Sequence, residues 1–314
     1  MAGAAAVQGP QPTAGRRAKA KLSLWDRIMR HSDIGIGAWA ILTYIFLYLP
    51  IVILIIFSFN KQVLNINWEG FTFDWYIARQ GAPGQDQRVI GVLRDPTILH
   101  AFLTSLEIAL LSTIASVVIG VLGSFALVRF EFRTKTVWDG LNYTKIIIAE
   151  VVAGVSTLLF FVQLNNFLDQ NVGFDFFNIF QPGFWTVVIA HIAWNIPFVV
   201  VIIRARLLGF DKSIEEAGAD LGGNPVSVFF RITLPVIFPG ILAASLLAFT
   251  LSFDDFVTTF FVIGQNYNTL PLQIWSMVRM GITPEINAIS TFMMGFSAII
   301  IIFLELKARV SEVL

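Results

Sequence analysis

Six stretches of this chain are apolar for too long, and charged too rarely, to be packed in water. They run Trp39–Phe57, Ile108–Val128, Ile146–Leu164, Phe184–Ile203, Val236–Gly264 and Ile286–Leu304. Each reaches roughly the 20 residues that a helix needs to cross the hydrocarbon of a bilayer. A backbone in lipid has to satisfy its own hydrogen bonds, which makes the helix its expected form. The expected fold class is therefore all-α, a polytopic membrane protein with six transmembrane helices. Only 13% of the 314 residues are charged, against about 25% in soluble domains. Pro50, Pro197 and Pro239 fall in or at spans, where they kink helices and are tolerated.

The basic residues orient the spans. On one side lie Arg16, Arg17, Lys19, Lys21, Arg27, Arg30, Arg129, Arg133, Lys135, Lys145, Arg204, Arg206, Lys212, Arg231, Lys307 and Arg309, which is sixteen of the 21 Lys and Arg residues. The other side holds Lys61, Arg79, Arg88, Arg94 and Arg279. Sixteen against five places both termini and the loop around Ser213 on the cytoplasmic side of the membrane. Residues 1–30 are expected to form a disordered basic cytoplasmic tail, being rich in Ala, Gly, Gln and Pro and then in charge. Residues 31–310 form one transmembrane domain, with an outer loop at 60–101 and an inner loop at 204–236. Arg16-Arg17 is not read as an export signal, since no small-residue cleavage site follows and the apolar run downstream has full span length.

Several chemistries are excluded. The chain has no cysteine, hence no disulfide and no thiolate metal site. A net charge of zero argues against a nucleic-acid surface. No Gly-Lys pair occurs, so the phosphate-cradling loop of an ATPase is missing and no bound nucleotide cofactor is expected. No Gly-x-Gly-Asp or convincing Ser–His spacing suggests an intramembrane protease. His191, near Trp194 and Asn195, is expected to hydrogen-bond across helices rather than to hold a metal.

Charge inside the spans points to the site. Glu150 lies near the cytoplasmic start of the third span, and Asp254 and Asp255 about two-thirds along the fifth. A carboxylate at mid-membrane costs roughly 2.5–3.5 kcal/mol, and such groups face a bundle interior or a water-filled path. On one continuous helix Asp254 and Asp255 differ by about 100°, so at most one points squarely into a path. With no Lys or Arg opposing them inside those spans, the acids favour a cation. Interhelical bonding or an interfacial position is the alternative for each.

The inner loop has its own pattern. Ser213 with Glu216 three places on reads as a capping box that starts a helix at Ile214. Gly222 and Gly223 supply a left-handed stop. Asn224 caps, and Pro225 opens a second short helix. Pro235 and Pro239 are expected to end that helix and begin the fifth span. The small residues Ala217, Gly218 and Ala219 make the first arm able to enter a groove on another protein.

Glu216-Ala217-Gly218, then Gly222, then Ile232-Thr233-Leu234-Pro235 resemble the EAA signature of ABC-importer permeases. Gly218 and Gly223 stand where that family usually has alanine, which predicts a looser helix by about 1 kcal/mol each. Further runs resemble the spermidine/putrescine branch and its C-type permease: Ser58–Asn60, Ile66–Tyr76, Arg129–Lys135, Glu150–Ser156, Leu251–Phe256 and Leu270–Ala288. The resemblance implies the type I importer permease fold and passage of a polyamine along Trp75, Glu150, Ser252, Asp254 and Asp255. It implies ATPase coupling through Glu216, Ala217, Gly222, Leu234 and Pro235. Implied partners are a second, unlike permease subunit, an ATP-binding subunit dimer that holds ATP and Mg, a periplasmic substrate-binding protein and membrane lipid. Ala149 replaces the proline that commonly precedes the span-three acid, and the outer loop carries an extra run at 78–94. Two other readings stay open: the same permease role for an opine, a quaternary amine or another cationic solute, and a secondary transporter with Asp254 or Glu150 as an ion relay. The second would be expected to show inverted repeats, and none is seen between the halves.

Overall fold

A computed structural model describes residues 24–62, 67–78, 90–171, 180–281 and 283–313. Most of the tail expected at 1–30, and most of the outer-loop run at 78–94, lie outside the described residues. The chain divides into two units, Met1–Ile53 and Leu54–Leu314. Among the described residues, six helices are long and apolar enough to cross a membrane.

The first unit holds most of α1, Leu24–Phe57, which contains Pro50. Leu24–Arg30 are already helical, so the described helix starts inside the stretch expected as tail. Within α1 the Thr43 hydroxyl donates back to the Trp39 carbonyl at 2.9 Å, and the rings of Tyr44 and Tyr48 stack one turn apart.

The second unit is a helical bundle. After a short outer helix, α2 (Asp74–Ile77), the chain enters α3 (Pro96–Arg129), then α4 (Lys135–Ile147), α5 (Glu150–Asn171) and α6 (Phe184–Leu208). The inner loop gives α7 (Lys212–Asp220) and α8 (Pro225–Val228), and a π-turn at Phe229–Thr233 leads into α9 (Leu234–Phe253). Then come α10 (Val257–Val262), α11 (Leu270–Met280) and α12 (Pro284–Val313). The centre is α3 packed on α6 and α9, with α5 against α10 and α12 against α9. One core cluster joins Val121, Val199, Ile203, Leu207, Ile237 and Ala244. Lipid is as apolar as the core, so close contact and hydrogen bonds hold such helices together. A Cβ at Gly120 would lie 2.5 Å from the Val199 side chain, which shows how near α3 and α6 approach. Ser124 donates across the same contact to the Val200 carbonyl at 3.2 Å.

Four expectations are corrected. The third membrane helix begins at Glu150, not Ile146; Ile148 has extended backbone (ψ 132°), and 135–147 form the separate helix α4, tied to α6 by Asp139 and Arg204 at 2.6 Å. Helix α7 begins two residues earlier than read, at Lys212, because Asp211 and not Ser213 is the cap, its carboxylate accepting the free N–H of Ser213. An anion is favoured at a helix N-terminus, and this bond holds Asp211 below its ordinary carboxylate range. Pro235 and Pro239 do not end the second arm: α8, the π-turn and α9 run on as one rod. The widened turn pairs the Leu234 N–H with the Phe229 carbonyl, which absorbs the donor that Pro235 lacks. Finally, the fifth span is broken. Helix α9 stops at Phe253 and α10 starts at Val257, with Asp254 and Asp255 in the break.

Candidate functional site

The break follows from the local competition of a short acid with the helix ladder. Asp254 closes α9, its N–H bonded to the Thr250 carbonyl at 3.2 Å, with φ −100° and ψ 4°. Asp255 then serves the next helix. Its Oδ2 accepts from the Thr259 N–H and the Thr259 hydroxyl, both at 2.8 Å, and its Oδ1 accepts from the Thr258 N–H at 3.4 Å. The two acids are therefore not set 100° apart on one helix, as expected for a continuous span. They stand on an unwound segment and do different things.

Asp255 is committed to the protein. Its side chain is 6% exposed and faces His191 Nε2 at 3.2 Å. His191 Nε2 also meets Thr259 Oγ1 at 2.9 Å, and His191 Nδ1 meets Ser252 Oγ at 2.6 Å. Ser252 continues to Ser112 Oγ at 2.8 Å. Each polar atom in this chain of contacts has a partner, the condition for keeping polar groups in a low-dielectric interior. His191 bonds across helices as its sequence position suggested. Ser252 and Asp255, expected along the path, are tied into a network that joins α3, α6, α9 and α10.

Asp254 and Glu150 are both exposed. Packing of α5 on α10 brings Glu150, the first residue of α5, within electrostatic reach of Asp255 and Asp254. Three carboxylates thus share one neighbourhood, and two of them, Glu150 and Asp254, are exposed. Lys145, outside the spans, lies 4.8 Å from the centre of the Trp194 ring, and burial pushes its ammonium below the usual lysine range. A cavity of about 540 Å³ between α10 and α11 is lined by Phe260, Tyr267, Trp275 and Arg279. Its charged group is a base, so it is a poorer seat for a cation than the break.

Trp75 is placed elsewhere. It is 5% exposed and packs with Val92, Ile98, Leu270, Ala288 and Ile289. Its indole N–H donates to the Asn60 carbonyl at 2.7 Å. Asn60 in turn holds the outer loop, donating to the Asn67 carbonyl at 2.7 Å and accepting from the Glu69 N–H at 3.1 Å. Trp75, expected along the path, is here a packed residue that ties the helix α2 to Asn60.

At the other end of the bundle lies the hairpin of α7 and α8. Its turn is a Schellman motif: the Gly223 N–H bonds to the Gly218 carbonyl at 3.1 Å and the Gly222 N–H to the Ala219 carbonyl at 2.9 Å. Gly222 has φ +87°, the left-handed region that glycine favours. Asn224 caps α8 by accepting the Ser227 N–H at 2.7 Å. Gly218 has a packing reason rather than only a loosening effect, since a Cβ there would press on the end of Ile232 across the hairpin. Glu216 and Ala217 are exposed, as are Leu221, Val226 and Phe230. Leu234 and Pro235 lie at the base, where the hairpin passes into α9.

Sequence reasoning missed Glu215. It accepts from the Thr233 hydroxyl at 2.6 Å and pairs with Arg129 at 2.9 Å. The available signal was its spacing of three from Gly218, which puts both on the inner face of α7, while Glu216 is turned about 100° away.

Residues 118–310 match the model of the binding-protein-dependent transport system inner membrane component family. The chain is 36% identical over 273 residues to the spermidine/putrescine transport system permease protein PotC of Escherichia coli K12, covering 87% of this chain and 93% of that one. It is 38% identical over 261 residues to the putrescine transport system permease protein PotI of the same strain, covering 83% and 85%. Among solved structures it resembles a chain of a bacterial ABC transporter that imports alginate, with a TM-score of 0.68 at 15% identity, over 91% of this chain and 98% of that one. A chain of the inward-facing MetNI methionine ABC transporter matches with a TM-score of 0.54 at 13% identity, over 68% and 96%. The chain therefore belongs to the binding-protein-dependent transport system inner membrane components, the multi-pass permease subunits of ABC importers.

Proposed function

We propose that this chain is the permease subunit of an ATP-driven importer of polyamines of the spermidine and putrescine class. The observation that carries the reading is the pair of open carboxylates, Glu150 and Asp254, at a break in a membrane helix. Two separated anions suit a flexible chain with separated ammonium groups, and the relatives at 36% and 38% identity bear names for such cargo. The exposed tip of the hairpin, with Glu216 and Ala217, is the surface for the ATP-binding subunits, which supply the ATP and Mg this chain has no motif to bind. A periplasmic binding protein delivers the cargo to the outer loops at 60–101 and 267–285, and a second permease subunit completes the path. Both termini and the hairpin face the cytoplasm in this reading, which the sixteen-to-five division of basic residues supports. In this reading the chain catalyses no reaction of its own.

The test is uptake of labelled spermidine by cells that lack their own polyamine uptake and express this permease with its partner subunits. Saturable uptake that needs the ATP-binding subunit, and that unlabelled putrescine or spermidine suppresses, supports the proposal. Suppression only by an opine or a quaternary amine would reassign the cargo and not the machine. Uptake that survives loss of the ATP-binding subunit and collapses with an uncoupler would make the chain an ion-coupled carrier.

A further inference from the structure

Two adjacent glutamates on α7 have separate fates. Glu216 is exposed. Glu215 turns inward: one carboxylate oxygen accepts the Thr233 hydroxyl at 2.6 Å and the other pairs with Arg129 Nη2 at 2.9 Å, with side-chain exposures of 18% and 9% for Glu215 and Arg129. Arg129 is the last residue of α3, and its guanidinium also lies 5.7 Å from the centre of the Phe210 ring, just ahead of α7. Arg129 Nε and Nη2 are both buried with no hydrogen-bond partner among the described residues, so the Glu215 contact is an ion pair by distance rather than a hydrogen bond. Glu215 is the one carboxylate paired with that charge there.

We propose that Glu215 is a positioning residue for coupling, fastening the hairpin to α3 so that α3 and α9 move with it as one body. This rests on the reading of the hairpin as the ATPase contact and deepens it. The hairpin already continues into α9 through the π-turn, so a push on its tip reaches α9 along the chain. The Arg129–Glu215–Thr233 contact adds the second attachment. From Arg129, α3 runs about 26 Å back to Ser112 at 1.5 Å per residue. There Ser112 bonds to Ser252 of α9, whose hydroxyl also meets His191 beside Asp255. Two helices joined at the hairpin and again at the break form a closed frame, and a closed frame transmits displacement that a single tether loses to bending. The contact holds a buried guanidinium that its removal would leave uncompensated, so it stays shut in both states of the transport cycle.

The test uses the full complex in proteoliposomes, with the binding protein and labelled spermidine, and reads cargo moved per ATP hydrolysed. Glu215→Gln and Arg129→Gln are each expected to keep the ATP-binding subunits bound and hydrolysing while the ratio falls about fivefold or more, the span of ordinary coupling energies. The exchanged pair Glu215→Arg with Arg129→Glu is expected to recover most of the loss, which a general packing role would not do. Because the chain has no cysteine, Arg129→Cys with Glu215→Cys can be bridged by a short bifunctional thiol reagent even if the glutamine variants assemble poorly. Transport that returns on bridging supports the proposal, and transport that bridging arrests overturns it. An unchanged ratio in both single variants also overturns it. Glu216→Arg in the same preparation separates the two ideas. If it abolishes coupling while the Glu215 variants are silent, only the fastening role fails. If it is silent too, the hairpin is not the ATPase contact.

Discussion

At the scale of single residues, the structure divides the acids of the fifth span into one that faces outward and one that holds the protein. Asp254 is exposed, and Asp255 is spent on His191 and Thr259. Asp254→Asn is therefore expected to reduce polyamine uptake on the order of tenfold, the loss of one charge-assisted contact, with the permease still abundant in the membrane; uptake assays beside immunoblots decide it. Asp255→Asn acts on stability instead. Removing one partner from a buried hydrogen-bonded charge costs about 3–5 kcal/mol, so a lower unfolding temperature of the purified protein is expected, and an unchanged one contradicts the assignment. That acids lay in the spans was legible, because a charge in an apolar run stands out. Their roles were not. They depend on a helix break that spacing rules treat as continuous helix, and on a ring 64 positions away from Asp255 in sequence.

At the scale of elements, the hairpin was the most legible part of the chain. Its two arms, the turn at Gly222 and the cap at Asn224 were all written in local turn chemistry, and local chemistry is what sequence reports best. The cap at Asp211 and the π-turn at Phe229–Thr233 were not read, since each is a contest between two locally plausible bonds that packing decides. Gly222→Val forces a β-branched residue to φ +87°, which costs about 1–2 kcal/mol. The expected outcome is a weaker hold on the ATP-binding subunits, seen as their loss during purification of the complex in detergent, with the six spans intact by circular dichroism. Gly218→Leu would drive a larger group against Ile232 and is expected to act in the same direction by spreading the arms.

At the scale of the whole molecule, length and hydropathy gave the number of spans, because lipid leaves the backbone little alternative to the helix. They did not give the broken fifth helix, or the frame of α3, α6 and α9 around which the second unit packs. Contacts between segments far apart in sequence leave no periodic trace. In the proposed reading the permease changes state through differential contact with a driven partner, so transport is expected to follow the nucleotide and the hairpin together. The measurement that tests this most directly is spermidine accumulation in proteoliposomes holding the complete complex and an external binding protein, with ATP inside, comparing the native chain with Glu216→Arg. The account predicts accumulation that requires ATP hydrolysis and is abolished by Glu216→Arg, with the variant complex still in the membrane. Accumulation driven by an ion gradient without ATP, or undiminished in Glu216→Arg, would contradict it.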